Sequence, residues 1–167
     1  KQRFDGSSPG QTQLERYAQK LSAVEINSSF YRPHKRTTYE RWAAATPPAF
    51  RFSVKLPRGI THTARLEKTE SLLLEFTKQV TGLGSRLGCL LVQLPPSLAL
   101  DIPVAEKFLS TMRSYLGDAA IALEPRHASW FTDEVDAQLI RHQVARAAAD
   151  PALVPRAAVP GGWQGLA

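Results

Sequence analysis

The chain has 167 residues, 43% of them hydrophobic and 22% charged, with a net charge of +6 and a pI near 9.8. That suits one domain with a real core, and the absence of any run of eighteen apolar residues argues against a membrane span. The lone cysteine, Cys89, excludes an internal disulfide and a cysteine-rich metal site; with the polar start Lys1 to Asp5, which lacks the form of a signal peptide, it leads us to expect a cytoplasmic protein.

Residues 1–11 are rich in Gly, Ser and Pro and read as a loop. Thr12, with Glu15 three residues on, forms a capping-box pattern that opens a helix over 13–21, with Leu14, Tyr17, Ala18 and Leu21 on one face. A strand is predicted over 23–29, where Val24 and Ile26 alternate with Glu25 and Asn27. Pro33 closes it, and a helix from Thr37 or Thr38 runs through Trp42 and stops before Pro47.

The second strand, 50–56, puts Phe52, Val54 and Leu56 on one face and Ser53 and Lys55 on the other. A loop with Thr61-His62-Thr63 leads to a helix over 67–83, striped by Leu72, Leu73, Phe76 and Val80. The third strand, 88–94, carries Gln93 on the face of Cys89 and Leu91 and ends at Pro95-Pro96. A helix over 104–116 precedes a fourth strand at 119–124, and a helix over 133–142 precedes a fifth at 145–149 with Asp150 at its tip. The Pro- and Gly-rich tail, 151–167, is expected to be irregular.

Repeated strand–helix units with short loops specify a parallel α/β sheet with right-handed crossovers. Polar residues near the strand ends favour a (β/α) TIM-barrel-like arrangement, whose interior accepts them at the mouth. A full barrel needs eight units, so five strands make a single, incomplete barrel domain with an open strand edge.

The site expectation starts from Ala120-Ile121-Ala122-Leu123, an apolar run that ends abruptly in Glu124, Arg126, His127 and Trp130. Gathering the strand-end polar residues adds Glu25, Asn27, Lys55, Gln93 and Asp150. Glu124, His127 and Glu25 are the candidates for acid–base chemistry. Lys55 and Arg126 would hold an anion, Arg126 as a bidentate donor, while Asn27 and Gln93 would orient a hydroxyl or amide. Trp130 and Tyr31 would wall the pocket, with Asp150 on its rim. The competing reading makes Glu124–Arg126 a structural ion pair, His127 a loop holder and Trp130 a core residue.

Glu25, Glu124, Asp150 and a histidine could in principle supply hard metal ligands. Their spacing lacks a metal-site pattern and Lys55 and Arg126 would repel a cation, so neither a metal nor another cofactor is expected. No glycine-rich dinucleotide fingerprint, phosphate loop or nucleophile elbow occurs in the sequence.

VEINSSFYRP (24–33), Trp42 with Thr46-Pro47, FRFSVKLPRGITH (50–62), LGCLLVQLPPSL (87–98) and LEPRHASWF (123–131) together resemble the YecE-like family, known as domain of unknown function 72. The resemblance runs from about Leu14 to Asp150 with all motifs in order. It implies a TIM-barrel-like fold, leaves the activity unestablished, and makes the chain similar to a middle section of the family's length. Two function classes follow. The first is an enzyme, of hydrolase, lyase or isomerase type, acting on a small anionic or phosphorylated substrate. The second is a nucleic-acid-binding or processing protein, favoured by the basic balance and by aromatic residues able to stack on bases.

Overall fold

The computed structural model describes residues 12–166. In chain order it contains α1 (Gln13–Ala18), β1 (Ala23–Ile26), α2 (Ser28–Tyr31), α3 (Arg36–Ala44), β2 (Arg51–Lys55), α4 (Glu70–Val80), β3 (Leu87–Gln93), α5 (Ile102–Leu116), β4 (Ile121–Glu124), α6 (Asp133–Arg141), β5 (Val144–Arg146) and β6 (Gly161–Gly162). The loop expected over 1–11 lies outside the described residues.

Local chemistry sets most of the boundaries. Thr12 and Glu15 make both bonds of the capping box, Asp101 caps α5 through the Val104 amide at 3.0 Å, and Thr132 caps α6. The helix expected from residue 67 begins only at Glu70, because Arg65, Leu66 and Lys68 all take positive φ angles of 50–72°. Before that bend, Gly59–Thr63 forms a single π-type turn closed by the Ala64 amide on the Gly59 carbonyl at 2.9 Å.

β1 to β5 are parallel and hydrogen-bonded in sequence order, so successive crossovers of one hand carry the helices to one face of the sheet. Ile26, Phe52, Val54, Leu90, Val92, Ile121, Leu123 and Val144 point to that face and are buried against Leu73, Phe76, Val80, Phe108, Leu109, Met112, Val135 and Leu139 of the helices. Each fully buried aliphatic side chain there contributes about 1.5–3 kcal/mol relative to exposure. The opposite, concave face carries the alternating residues Glu25, Ser53, Lys55, Cys89, Leu91, Gln93, Ala122 and Glu124.

Three further expectations are corrected. The first strand stops at Ile26, because Asn27 has helical backbone angles and the Ser29 hydroxyl bonds the Ile26 and Lys55 carbonyls at 2.9 and 2.6 Å, turning the chain into α2. The fifth strand is only Val144–Arg146, which leaves Asp150 four residues past its end and exposed. The tail is not wholly irregular: Gly161 and Gly162 pair antiparallel with Arg146 and Ala145. β1 and β6 are the two edges of the sheet, which is open among the described residues.

Candidate functional site

The parallel register aligns the concave residues in rows. Glu25, Ser53 and Cys89 form one row, and Lys55, Leu91, Ala122 and Ala145 the next. The last row, at the C-terminal ends of β3 and β4, pairs Gln93 directly with Glu124. Four strands therefore bring polar side chains to one face, with the charges of Lys55 and Glu124 at the strand ends, where ligands of parallel α/β sheets are met.

At the Gln93–Glu124 row, Gln93 Nε2 donates to both carboxylate oxygens of Glu124 at 3.0 Å. Arg126, just past β4, donates from Nε and Nη2 to Glu124 Oε1 at 2.9 and 2.8 Å. Oε1 thus meets three donors and Oε2 one. The glutamate side chain is 15% exposed, against 48% for Arg126. The carboxylate is held on two sides by strand-borne and post-strand donors, and Oε2 retains acceptor capacity for a third party.

Lys55 ends β2 and is 9% exposed, yet no ion pair engages its ammonium among the described residues. Its Nζ stands 4.5 Å from the centre of the Phe30 ring. The His62 ring packs edge-on to the same Phe30 at 4.9 Å, and its Nδ1 is bonded to the Thr61 hydroxyl at 2.8 Å. Burial first, then the positive charges of Arg58, Lys55 and Arg126, hold the His62 imidazole below its usual range. Those three cations and His62 therefore share one electrostatic neighbourhood.

The other expected site residues are placed as follows. Glu25 is exposed on the concave face beside β2, and Asn27 is exposed at the start of α2. His127 is half-buried; its Nδ1 pairs with the Ser129 hydroxyl at 2.9 Å and accepts from the Ser129 amide at 3.3 Å, which orients the ring and leaves Nε2 unengaged among the described residues. Trp130 is 2% exposed and its indole Nε1 donates to the Leu98 carbonyl at 2.9 Å, within the apolar core. Asp150 is not brought to the Glu124 row by β5.

Burial pushes the Cys89 thiol up to about 11, with the nearby Glu25 charge adding to the effect against a hydrogen bond to the Ala122 backbone. Among the described residues no three His, Cys, Asp or Glu side chains are grouped to hold a metal ion. No helix of the described residues is long and apolar enough to cross a membrane.

Sequence reasoning left Arg58 and Phe30 out of the site, and it set His62 on a loop near the strand ends without giving it a role. The signal was available in part: PRGITH follows directly on the strand end that carries Lys55, and loops after parallel strands line the same mouth as the strand ends. Arg146 was missed too, but it lies in the β-sheet row of Leu123, on the helix side, and pairs there with Asp136.

A family model described as "Protein of unknown function DUF72" matches residues 2–165. The chain belongs to the DUF72 family. This DUF72 chain is 31% identical over 132 residues to the UPF0759 protein YecE of Escherichia coli K12, covering 78% of the chain and 47% of that protein. It is 29% identical over 135 residues to the UPF0759 protein YunF of Bacillus subtilis, covering 77% and 48%. The chain thus spans about half the length of the curated relatives it matches.

Among solved structures, a DUF72 family protein of Enterococcus faecalis aligns with a TM-score of 0.71 at 23% identity, over 86% of this chain and 62% of that one. A DUF72 family protein of Thermotoga maritima aligns with a TM-score of 0.66 at 27% identity, over 81% and 53%. The family is one of unknown function, so its fold is shared and its chemistry must be argued from the site.

Proposed function

We propose that this DUF72 protein is an enzyme that binds a small anionic substrate at the C-terminal rim of its sheet and uses Glu124 for proton transfer. The observation that carries the reading is Lys55, a largely buried ammonium with an aromatic neighbour but no carboxylate partner among the described residues. A buried charge without a partner is costly, and a bound anion removes that cost. One row further along the same face, across β3, Gln93 and Arg126 fix the Glu124 carboxylate while leaving Oε2 able to accept a proton. Fixed orientation of a proton acceptor on the same face as an anion-holding cation is what acid–base catalysis on an anionic substrate needs. His127, held through Nδ1, is the second group able to carry a proton, through Nε2.

The test begins with a thermal-shift screen of carboxylate and phosphate metabolites, followed by turnover of those that stabilise the protein. Glu124→Gln should lower kcat by about 100-fold or more while leaving KM within a few-fold. Lys55→Met should act chiefly on KM. Parent-like turnover by Glu124→Gln would remove Glu124 from the chemistry.

A further inference from the structure

We propose that Lys55, Arg58 and His62 form the receiving site for a dianionic phosphoryl group. This assignment rests on the reading of the rim as an anion site and narrows its substrate class to phosphate monoesters.

The argument is a local count of charge. Arg126 is close enough to act on His62, but its guanidinium is taken by Glu124 at 2.8–2.9 Å. Lys55 and Arg58 engage no carboxylate among the described residues. Two positive charges thus remain without an ion-pair partner among the described residues. A carboxylate would answer one of them, whereas a phosphate monoester carries nearly two negative charges at neutral pH and three acceptor oxygens.

Two carboxylates border the site, and neither forms an ion pair with Lys55 or Arg58 among the described residues. Glu25 of β1 sits in the row of Ser53 and Cys89, one row below Lys55. Glu75 of α4 shares with Arg58 and Phe30 a cleft of about 200 Å³ and accepts a hydrogen bond from the neutral Gln79 amide at 3.1 Å. Phe30 of α2, which faces both Lys55 and His62, is uncharged.

The turn that carries the two further groups is firmly held. Arg58 and His62 are four residues apart across the π-type turn Gly59–Thr63, which places them on one side of it. Ile60 and Thr61 anchor the turn, being 1% and 0% exposed. Arg65 ties its far side to Ser97 through bonds of 3.1 and 2.9 Å. The positive φ angles at Arg65, Leu66 and Lys68 cost about 1 kcal/mol or more each, and such strain persists where the surrounding structure imposes it. With Nδ1 bonded to Thr61, Nε2 is the nitrogen His62 presents to a ligand.

The test is calorimetric titration of the intact chain with inorganic phosphate, sulfate and acetate. Sulfate is included because it stays dianionic across the range, so any change with pH belongs to the protein. Phosphate and sulfate should bind about tenfold more tightly than acetate, and Lys55→Met or Arg58→Met should each weaken sulfate about tenfold. Arg58 is exposed, so its variant reports on binding even where Lys55→Met disturbs the fold. Sulfate should tighten from pH 8 to pH 5.5 in the parent but not in His62→Gln, because the bound dianion favours the imidazolium.

Acetate binding as tightly as sulfate, with loss in Lys55→Met, would overturn the phosphoryl assignment and leave the anion rim standing. Failure of all three anions to bind would overturn both. Sulfate binding unchanged in Lys55→Met and Arg58→Met would place the anion elsewhere and reject the assignment.

Discussion

Gln93 and Glu124 are direct partners on adjoining parallel strands, and the amide of one donates to both carboxylate oxygens of the other at 3.0 Å. Neither orientation is free, because the backbone register fixes both side chains on the concave face. A double-mutant cycle with Gln93→Leu and Glu124→Gln should give a coupling of about 1–2 kcal/mol in urea unfolding. Additive effects would mean that the bond does not contribute.

Among the described residues Arg146 is the largest fully buried side chain, held by Asp136 at 3.0 Å and by the carbonyls of Arg156 and Val159. Asp136→Ala leaves that guanidinium buried without its carboxylate and should cost about 3 kcal/mol or more. Asp133, whose side chain is 89% exposed and pairs with Arg156, serves as the control: Asp133→Ala should cost less than about 1 kcal/mol. Equal costs for the two variants would contradict the burial argument.

Cys89 faces the concave side, half-buried, with its thiol pushed up to about 11. At pH 8 only about 0.1% of it is thiolate, so modification by a disulfide reagent should be far slower in the native protein than in urea. Comparable rates in the two states would show that the sheet leaves the sulfur open and unperturbed.

His34 and His62 both have imidazoles held below the usual range, in each case by burial first and then by positive charge: Arg32 for His34, and Arg58, Lys55 and Arg126 for His62. The unfolded chain, at its ordinary value of 6.5, therefore takes up protons before the folded one does. Their stabilising effect is whole above pH 6.5 and is lost as the pH falls from there through the depressed folded values. The urea midpoint should be lower at pH 5.5 than at pH 7.5, and a His34→Gln, His62→Gln variant should flatten the difference. A midpoint that rises on acidification would reverse the sign and reject the account.

The sequence by itself determined what depends on neighbours along the chain. A period of two put Glu25, Ser53 and Lys55 opposite Val24, Phe52 and Val54, and the same rule put Gln93 and Glu124 on the concave face. The cap at Thr12, with Glu15 three residues on, marked a helix start because its bonds close within three residues. The order of strands and helices, with the motifs of the YecE-like family, was legible for the same reason.

Only the tertiary structure decided which of these residues meet. That Gln93 grips Glu124 depends on the β3–β4 register, and that Lys55 and His62 flank one Phe30 ring depends on α2 folding back over β2 through Ser29. The end of β1 at Ile26 was settled by a hydroxyl reaching a carbonyl 26 residues away, a partner that no local pattern announces. The ionic hold on Arg146 and the return of the tail as β6 were settled in the same way. Register, burial and ion pairing are sums over distant segments, whereas periodicity and capping are complete within a few residues.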